Sequence, residues 1–233
     1  MPSKPTKRKL SRSTSRVTPP TASASAFVPL LVVCFILWVV YRLVFHFPVW
    51  FDETVGKAIF FGLPVWLFIS MTGDRSIAET FAPRKIRPGL LQGIAFGGIY
   101  GFFLTFVTVL RPGSTVMHVP FYSSPDFWGE FGLGLLTGFW ETLFFYSWVM
   151  TMIQQKLSRN GLIAQLVMVA AVFLAFHLPN IVLRTGWGSL AVYAPLLFLF
   201  ALGQAFLFLR SRNGYTLALS QAIWGLALLV HLK

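Results

Sequence analysis

Charge is scarce in this chain and acid scarcer still: charged residues make up 11% of it, with seven Asp and Glu against 19 Lys and Arg. Soluble domains carry roughly 25% charged residues. A water-facing globular surface is therefore excluded, and a content of 56% hydrophobic and 17% aromatic residues requires lipid as the solvent. The single cysteine, Cys34, can form no intrachain disulfide and reads as a small apolar filler in a span. No pair of histidines one helical turn apart encloses a glutamate, which removes the HExxH metallopeptidases. The aspartates Asp52, Asp74 and Asp126 are all expected in loops, so a membrane aspartyl dyad is excluded as well. Ser147 and Ser220 fall in apolar runs but in no glycine-framed nucleophile turn, and are expected to pack or to bond the backbone. Period-2 alternation is absent, which argues against a β-barrel.

What remains is a series of apolar runs near the ~20 residues that cross a bilayer. They are Phe27–Phe45, Val55–Met71, Leu90–Leu110, Phe127–Ile153, Gly161–Pro179, Ser189–Leu209 and Gly214–Val230. The expected fold class is all-α, a polytopic membrane helix bundle of about seven transmembrane helices. The second run is short and Pro64 interrupts it, which leaves a tilted, kinked or re-entrant segment open there.

The net charge of +12 raises the question of nucleic acid, but its placement answers differently. Lys4 to Arg16 precede the first run, Arg75, Arg84, Lys85 and Arg87 follow the second, and Lys156, Arg159, Arg210 and Arg212 follow the fourth and sixth. All lie on one side, whereas the other receives only Arg42, Lys57, Arg111, Arg184 and Lys233. The positive-inside rule then places the N-terminus in the cytoplasm and the C-terminus outside, in an integral multi-pass protein whose partner is the lipid bilayer and not nucleic acid. The plasma membrane is the expected location. The Ser- and Arg-rich, acid-free N-terminus keeps an organellar membrane open. Residues 1–26 cannot bury a core and are expected to be a disordered basic cytoplasmic tail, with residues 27–233 forming the transmembrane helical domain.

Of the seven carboxylates, Asp52, Glu53, Asp74, Glu79, Asp126 and Glu130 are expected in loops or at span ends, and Glu141 alone is expected deep. His177 is the one histidine expected deep, with His46 and His118 in loops and His231 near an end. At ~1.5 Å rise per residue, Glu141 sits about 21 Å and His177 about 24 Å above the cytoplasmic ends of consecutive antiparallel helices, which brings them to one level. A charge in the hydrocarbon costs at least about 2.5 kcal/mol, so such a pair marks a functional site. The bland alternative is a protonated, hydrogen-bonded Glu141 and a satisfied interior histidine. Gly132, Gly134 and Gly138 would let a backbone or substrate approach the helix that carries Glu141.

At these residues the chain resembles the CAAX-protease and bacteriocin-processing (CPBP, or Abi) family of intramembrane peptidases, over a core of about 127–230. That family shows two adjacent glutamates with an arginine four residues after the second; here Glu141 stands for the first, Thr142 for the second and Tyr146 for the arginine. The family's Phe-x-x-x-His motif stands intact as Phe173 to His177, and its His-x-x-x-Asn motif looks like Gln221 and Gly225. Helical rise puts Gln221 only about 12 Å from the cytoplasmic end, so His231 stays open as the alternative. The resemblance implies Glu141 as general base for a water, His177 as the group that orients or shares it, and Gln221 as a hydrogen-bond donor to the oxyanion. It implies no cofactor, and a zinc mechanism, which normally wants three protein ligands, fits poorly.

The leading expectation is an intramembrane endopeptidase that cuts a membrane-proximal bond of a membrane-anchored or lipid-modified peptide or protein. The alternative is a catalytically degenerate relative that binds a membrane protein or bacteriocin-like peptide without cleaving it. A proton-coupled transporter using Glu141 and His177 as a relay is the third class, unsupported by any internal repeat.

Overall fold

The computed structural model describes residues 21–109, 125–156 and 158–231, and among them there are helices and connections but no strands. Seven helical rods form the bundle: α1 (Thr21–Val44), α2 (Val49–Thr72), α3 (Ile86–Val109), α4 (125–156), α5 (Leu162–Thr185), α6 (Leu190–Ser211) and α7 (Gly214–His231). Residues 1–20, most of the expected tail, lie outside the described residues.

Five rods are long and apolar enough to cross a membrane: α1, α2, α3, α5 and α6. Glu141 and Gln221 are carried by the other two, α4 and α7. Their polar side chains are accommodated because they face other helices instead of lipid. Glu141, Thr142, Ser147, Thr216, Ser220 and Gln221 are all buried, whereas Val32, Val33, Ile36, Leu37 and Val40 of α1 and Phe102, Phe103 and Phe106 of α3 are exposed. This distribution, polar within and apolar without, is the one that hydrocarbon demands.

Close helix approach sets the register at the centre. Along α3, Gly89, Gly93 and Gly97 meet Tyr215, Leu219 and Ile223 of α7 in turn, Gly89 also meeting Asn213 just before it, so these two helices run parallel with their backbones nearly touching. A glycine at every fourth position lines one helix face, the spacing that permits such contact in membranes. On its other side α7 runs antiparallel to α4. A side chain on Gly138 would collide with the Ala218 carbonyl, and Gly134 faces Ala222.

The second helix departs from expectation. It is a continuous rod from Val49 to Thr72, long and apolar enough to cross a membrane, and it begins six residues before the apolar run that announced it. Two π-helical turns, Asp52–Gly56 and Ala58–Gly62, precede Pro64, and these irregular turns stand where its ring and missing N–H interrupt the regular i→i−4 ladder. Asp52 is accordingly not a loop residue. It is buried in α2, accepts a 2.6 Å hydrogen bond from the Tyr41 hydroxyl and pairs with Arg42, tying the first turns of α2 to the end of α1. Asp126 too is helical, in the first turn of α4. The exclusion of an aspartyl dyad stands on other ground: the Asp52 carboxylate is bound by Tyr41 and Arg42.

α1 is fixed to α5 by the Trp38 indole N–H, which donates to the Phe176 carbonyl at 2.9 Å. Beneath these contacts a block of aromatic rings, Phe61, Phe144, Phe145, Trp148, Phe173 and Phe176, fills the centre of the bundle.

Candidate active site

Glu141 is the last residue of the α-helical part of α4 and opens directly onto the π-helical stretch Thr142–Met150. Wider turns of this kind recur at functional sites because they re-aim the side chains beside them. The Glu141 side chain is buried, and its two oxygens face different partners. Oε1 accepts from the Lys57 ammonium at 2.5 Å and lies 3.4 Å from His177 Nε2; Oε2 accepts from the Gln221 amide.

His177 is held by its own helix. Its Nδ1 is 2.8 Å from the Phe173 carbonyl, and its ring stacks on the Phe173 ring with centroids 4.1 Å apart and planes 19° off parallel. A carbonyl only accepts, so Nδ1 carries the hydrogen, and in the neutral imidazole Nε2 is an acceptor. The Phe-x-x-x-His spacing therefore has a physical meaning: one residue, a turn earlier, supplies both the ring and the carbonyl that set the tautomer. Nε2 and a carboxylate oxygen at 3.4 Å are one hydrogen short of a bond. The second proton of an imidazolium supplies it.

The structure brings Glu141, His177 and Gln221 together. Gln221 is no shallower than the other two, contrary to the estimate from helical rise. In a helix the side chain leans toward the N-terminus, and α4 and α7 run antiparallel, so Glu141 and Gln221 lean toward each other and close the gap. His231, the alternative, ends α7, and its side chain lies outside those described.

Lys57 and Glu53 were missed by the sequence reading, which left Glu141 and His177 as the only ionisable groups deep in the bundle. Both belong to α2. Lys57 is 4% exposed, forms ion pairs with Glu53 and Glu141, and lies between the two π-helical turns. Glu53 in turn accepts a 2.8 Å hydrogen bond from Thr137 of α4. The signal was present: a glutamate and a lysine four apart, on one helix face, beside aromatic residues.

A cavity of about 440 Å³ adjoins this cluster. Its polar wall is made by Glu53, Lys57, Glu141, His177, Asn180 and Gln221, and its apolar wall by residues such as Ile181, Leu197, Phe200 and Trp224. Gln221 and Asn180 line the cavity, and their side-chain oxygens are buried without a protein partner. Gly225 lines the cavity with open space where a side chain would stand. Among the described residues no cluster of three His, Cys, Asp or Glu side chains could hold a metal ion. The Lys57 ammonium is the cation beside the carboxylates.

Thr142 and Tyr146 are fully buried and line no part of the cavity. Tyr146 packs near Phe173 and Phe208, with ring centroids 6.2 and 6.5 Å away. Their hydroxyls are buried without a hydrogen-bond partner.

A family model described as type II CAAX prenyl endopeptidase Rce1-like matches residues 123–227. Every element of the cluster except Lys57 and Glu53 falls within that stretch. Over that stretch, a little under half of its length, the chain is similar to the CAAX-protease family. No curated protein and no solved structure matches it. As a family, CAAX proteases are membrane-embedded endopeptidases that act on prenylated, membrane-associated proteins. The matched stretch comprises α4, α5, α6 and most of α7, and α1, α2 and α3 pack against it.

Proposed function

We propose that the chain is a glutamate-dependent intramembrane endopeptidase. Glu141 takes a proton from a water that sits on the cavity side of the pair, hydrogen-bonded to both its Oε1 and His177 Nε2, and the resulting hydroxide attacks the scissile carbonyl. The observation that carries this reading is the pair itself: a carboxylate and an imidazole 3.4 Å apart on a cavity wall, with the imidazole's acceptor nitrogen turned toward the carboxylate. Gln221, whose amide reaches the carboxylate, fixes Glu141 and remains within reach of the reacting carbonyl. The apolar wall suits a lipid-modified or hydrophobic flank.

The cavity also bears on orientation. Its lining comes from the first halves of α2, α4 and α6 and the second halves of α5 and α7, for example Val49, Glu130, Tyr193, Ile181 and Leu226. Because the helices alternate in direction, all of these lie in the half of the bundle remote from Arg75, Lys85, Lys156 and Arg212. Toward the basic end the way is filled by fully buried Phe145, Tyr146, Trp148 and Phe208. A substrate segment thus reaches Glu141 from the face opposite the basic end or from between the helices. With the basic end cytoplasmic, as the positive-inside rule has it, that face is the non-cytoplasmic one.

One observation favours a second reading, binding without cleavage: both oxygens of Glu141 already hold protein donors, and Gly225 offers none. The deciding experiment incubates the full chain in liposomes with a farnesylated peptide ending in a CAAX sequence and reads the products by mass spectrometry. The endopeptidase reading expects a new C-terminus at one bond. Saturable retention of the intact peptide with no product supports the binding reading instead.

A further inference from the structure

Lys57 is not explained by the family domain, which begins at residue 123. It is buried, reaches the centre of the site from α2, and lines the same cavity as His177, Gln221 and Gly225. An ammonium has three N–H donors. Glu141 and Glu53 account for two of them, and the third is available to a group in the cavity.

We propose that Lys57 is a catalytic residue of this site, the charged donor that holds the oxygen of the scissile carbonyl. The inference rests on the endopeptidase reading and supplies what that reading lacks, a strong donor where Gly225 has no side chain. Glu53 and Lys57 stand four apart on α2 and are joined as an ion pair, which is set against Glu141.

Charge movement in the reaction suits this placement. A water O–H bond breaks and its proton goes to Glu141, which becomes neutral. The hydroxide oxygen bonds the carbonyl carbon, and the carbonyl π pair moves onto oxygen as the oxyanion. Negative charge has then passed from Glu141 to the substrate oxygen while remaining beside the same ammonium. The ion pair to Glu53, itself held by Thr137, keeps the ammonium in place during that transfer. Such preorganised donors are the most effective kind. On collapse the C=O bond reforms, the C–N bond breaks, and the proton on Glu141 passes to the leaving amine.

The test separates catalysis from charge balance. In the double variant E53Q/K57M one carboxylate and the one ammonium are removed together, so the site keeps the net charge of the wild type. Full-length wild type and variant are compared in liposomes on the farnesylated CAAX peptide, with thermal unfolding measured alongside. The expected result is an unfolding temperature close to wild type and a kcat lower by about a hundredfold or more with KM little changed. Wild-type kcat in the folded double variant would overturn the proposal and leave the endopeptidase reading intact. K57A with added ethylammonium gives an independent readout that holds even if the double variant does not fold: saturable recovery of kcat is expected, and full activity of K57A without the amine overturns the proposal. A wild-type chain that cleaves nothing overturns the endopeptidase reading, and this inference with it.

Discussion

His177 Nε2 lies 3.4 Å from the same Glu141 oxygen that accepts from Lys57, so one carboxylate oxygen is shared by an imidazole from α5 and an ammonium from α2. α4 alone would leave a bare carboxylate in the bundle. Three other helices, α2, α5 and α7, each bring one side chain to it, and each is held there by a contact of its own: Lys57 by Glu53, His177 by Phe173, and Gln221 by the close approach of α7 to Gly138.

His177→Ala removes the acceptor nitrogen that shares the water while leaving the Phe173 carbonyl free for solvent or a neighbour. It is expected to lower kcat by about a hundredfold or more. Binding of the uncleaved farnesylated peptide, measured by fluorescence anisotropy, stays within a few fold of wild type. An equal loss of binding and turnover would assign His177 to packing.

Gly225→Asn is expected to be tolerated, because a Cβ at this position meets nothing within 4 Å and the side chain enters the cavity. It adds an amide donor near the reacting carbonyl, and kcat should rise by about tenfold or more. Gln221→His, which keeps a donor and adds a titratable ring, is expected to raise activity as well. Unchanged turnover in both variants would mean that the oxyanion is already fully served.

Arg42 and Asp52 are both buried and paired, with Tyr41 as a third member. Arg42→Met alone leaves Asp52 as an uncompensated buried charge and is expected to cost about 3–5 kcal/mol, whereas R42M/D52N together should cost far less. Reversible unfolding in mixed detergent measures both. Because this cluster positions the start of α2, the single variant should also lose cleavage.

Orientation is open to chemical labelling, since Cys34 is buried and is the chain's one cysteine. Glu130→Cys, on the cavity side, and Arg210→Cys, at the basic end, are made in a Cys34→Ala background. A membrane-impermeant maleimide added to right-side-out vesicles is expected to label the first and spare the second. The reverse pattern would invert the topology and turn the cavity to the cytoplasm.

Much of this architecture was legible in the sequence. The seven apolar runs correspond to the seven rods, and Glu141 with His177 could be singled out because each was deep in a run and their depths agreed. The intact Phe173 to His177 spacing carried the family resemblance for the same reason that it works, a helix face repeating every four residues. Lys57 and Glu53 were lost because an apolar run is trimmed at its charged flank, so α2 seemed to start at Val55 when it starts at Val49. Two opposite charges that neutralise each other inside a bundle look, one residue at a time, like a polar span end. Gln221 was misjudged because rise per residue locates a Cα, and the lean of a long side chain adds several ångströms. The glycine row Gly89, Gly93 and Gly97, which seats α3 on α7, was equally readable and went unread.

Cleavage by Glu141→Gln tests the central claim most directly. The substitution keeps the shape and the hydrogen-bonding reach of the side chain and removes its basicity. Wild type and variant are compared at equal membrane insertion on the farnesylated CAAX peptide, with product quantified by mass spectrometry. The account predicts that cleavage by the variant falls by about 10² to 10⁴ while insertion and peptide binding persist. Cleavage at the wild-type rate would contradict it and remove Glu141 from the role of base.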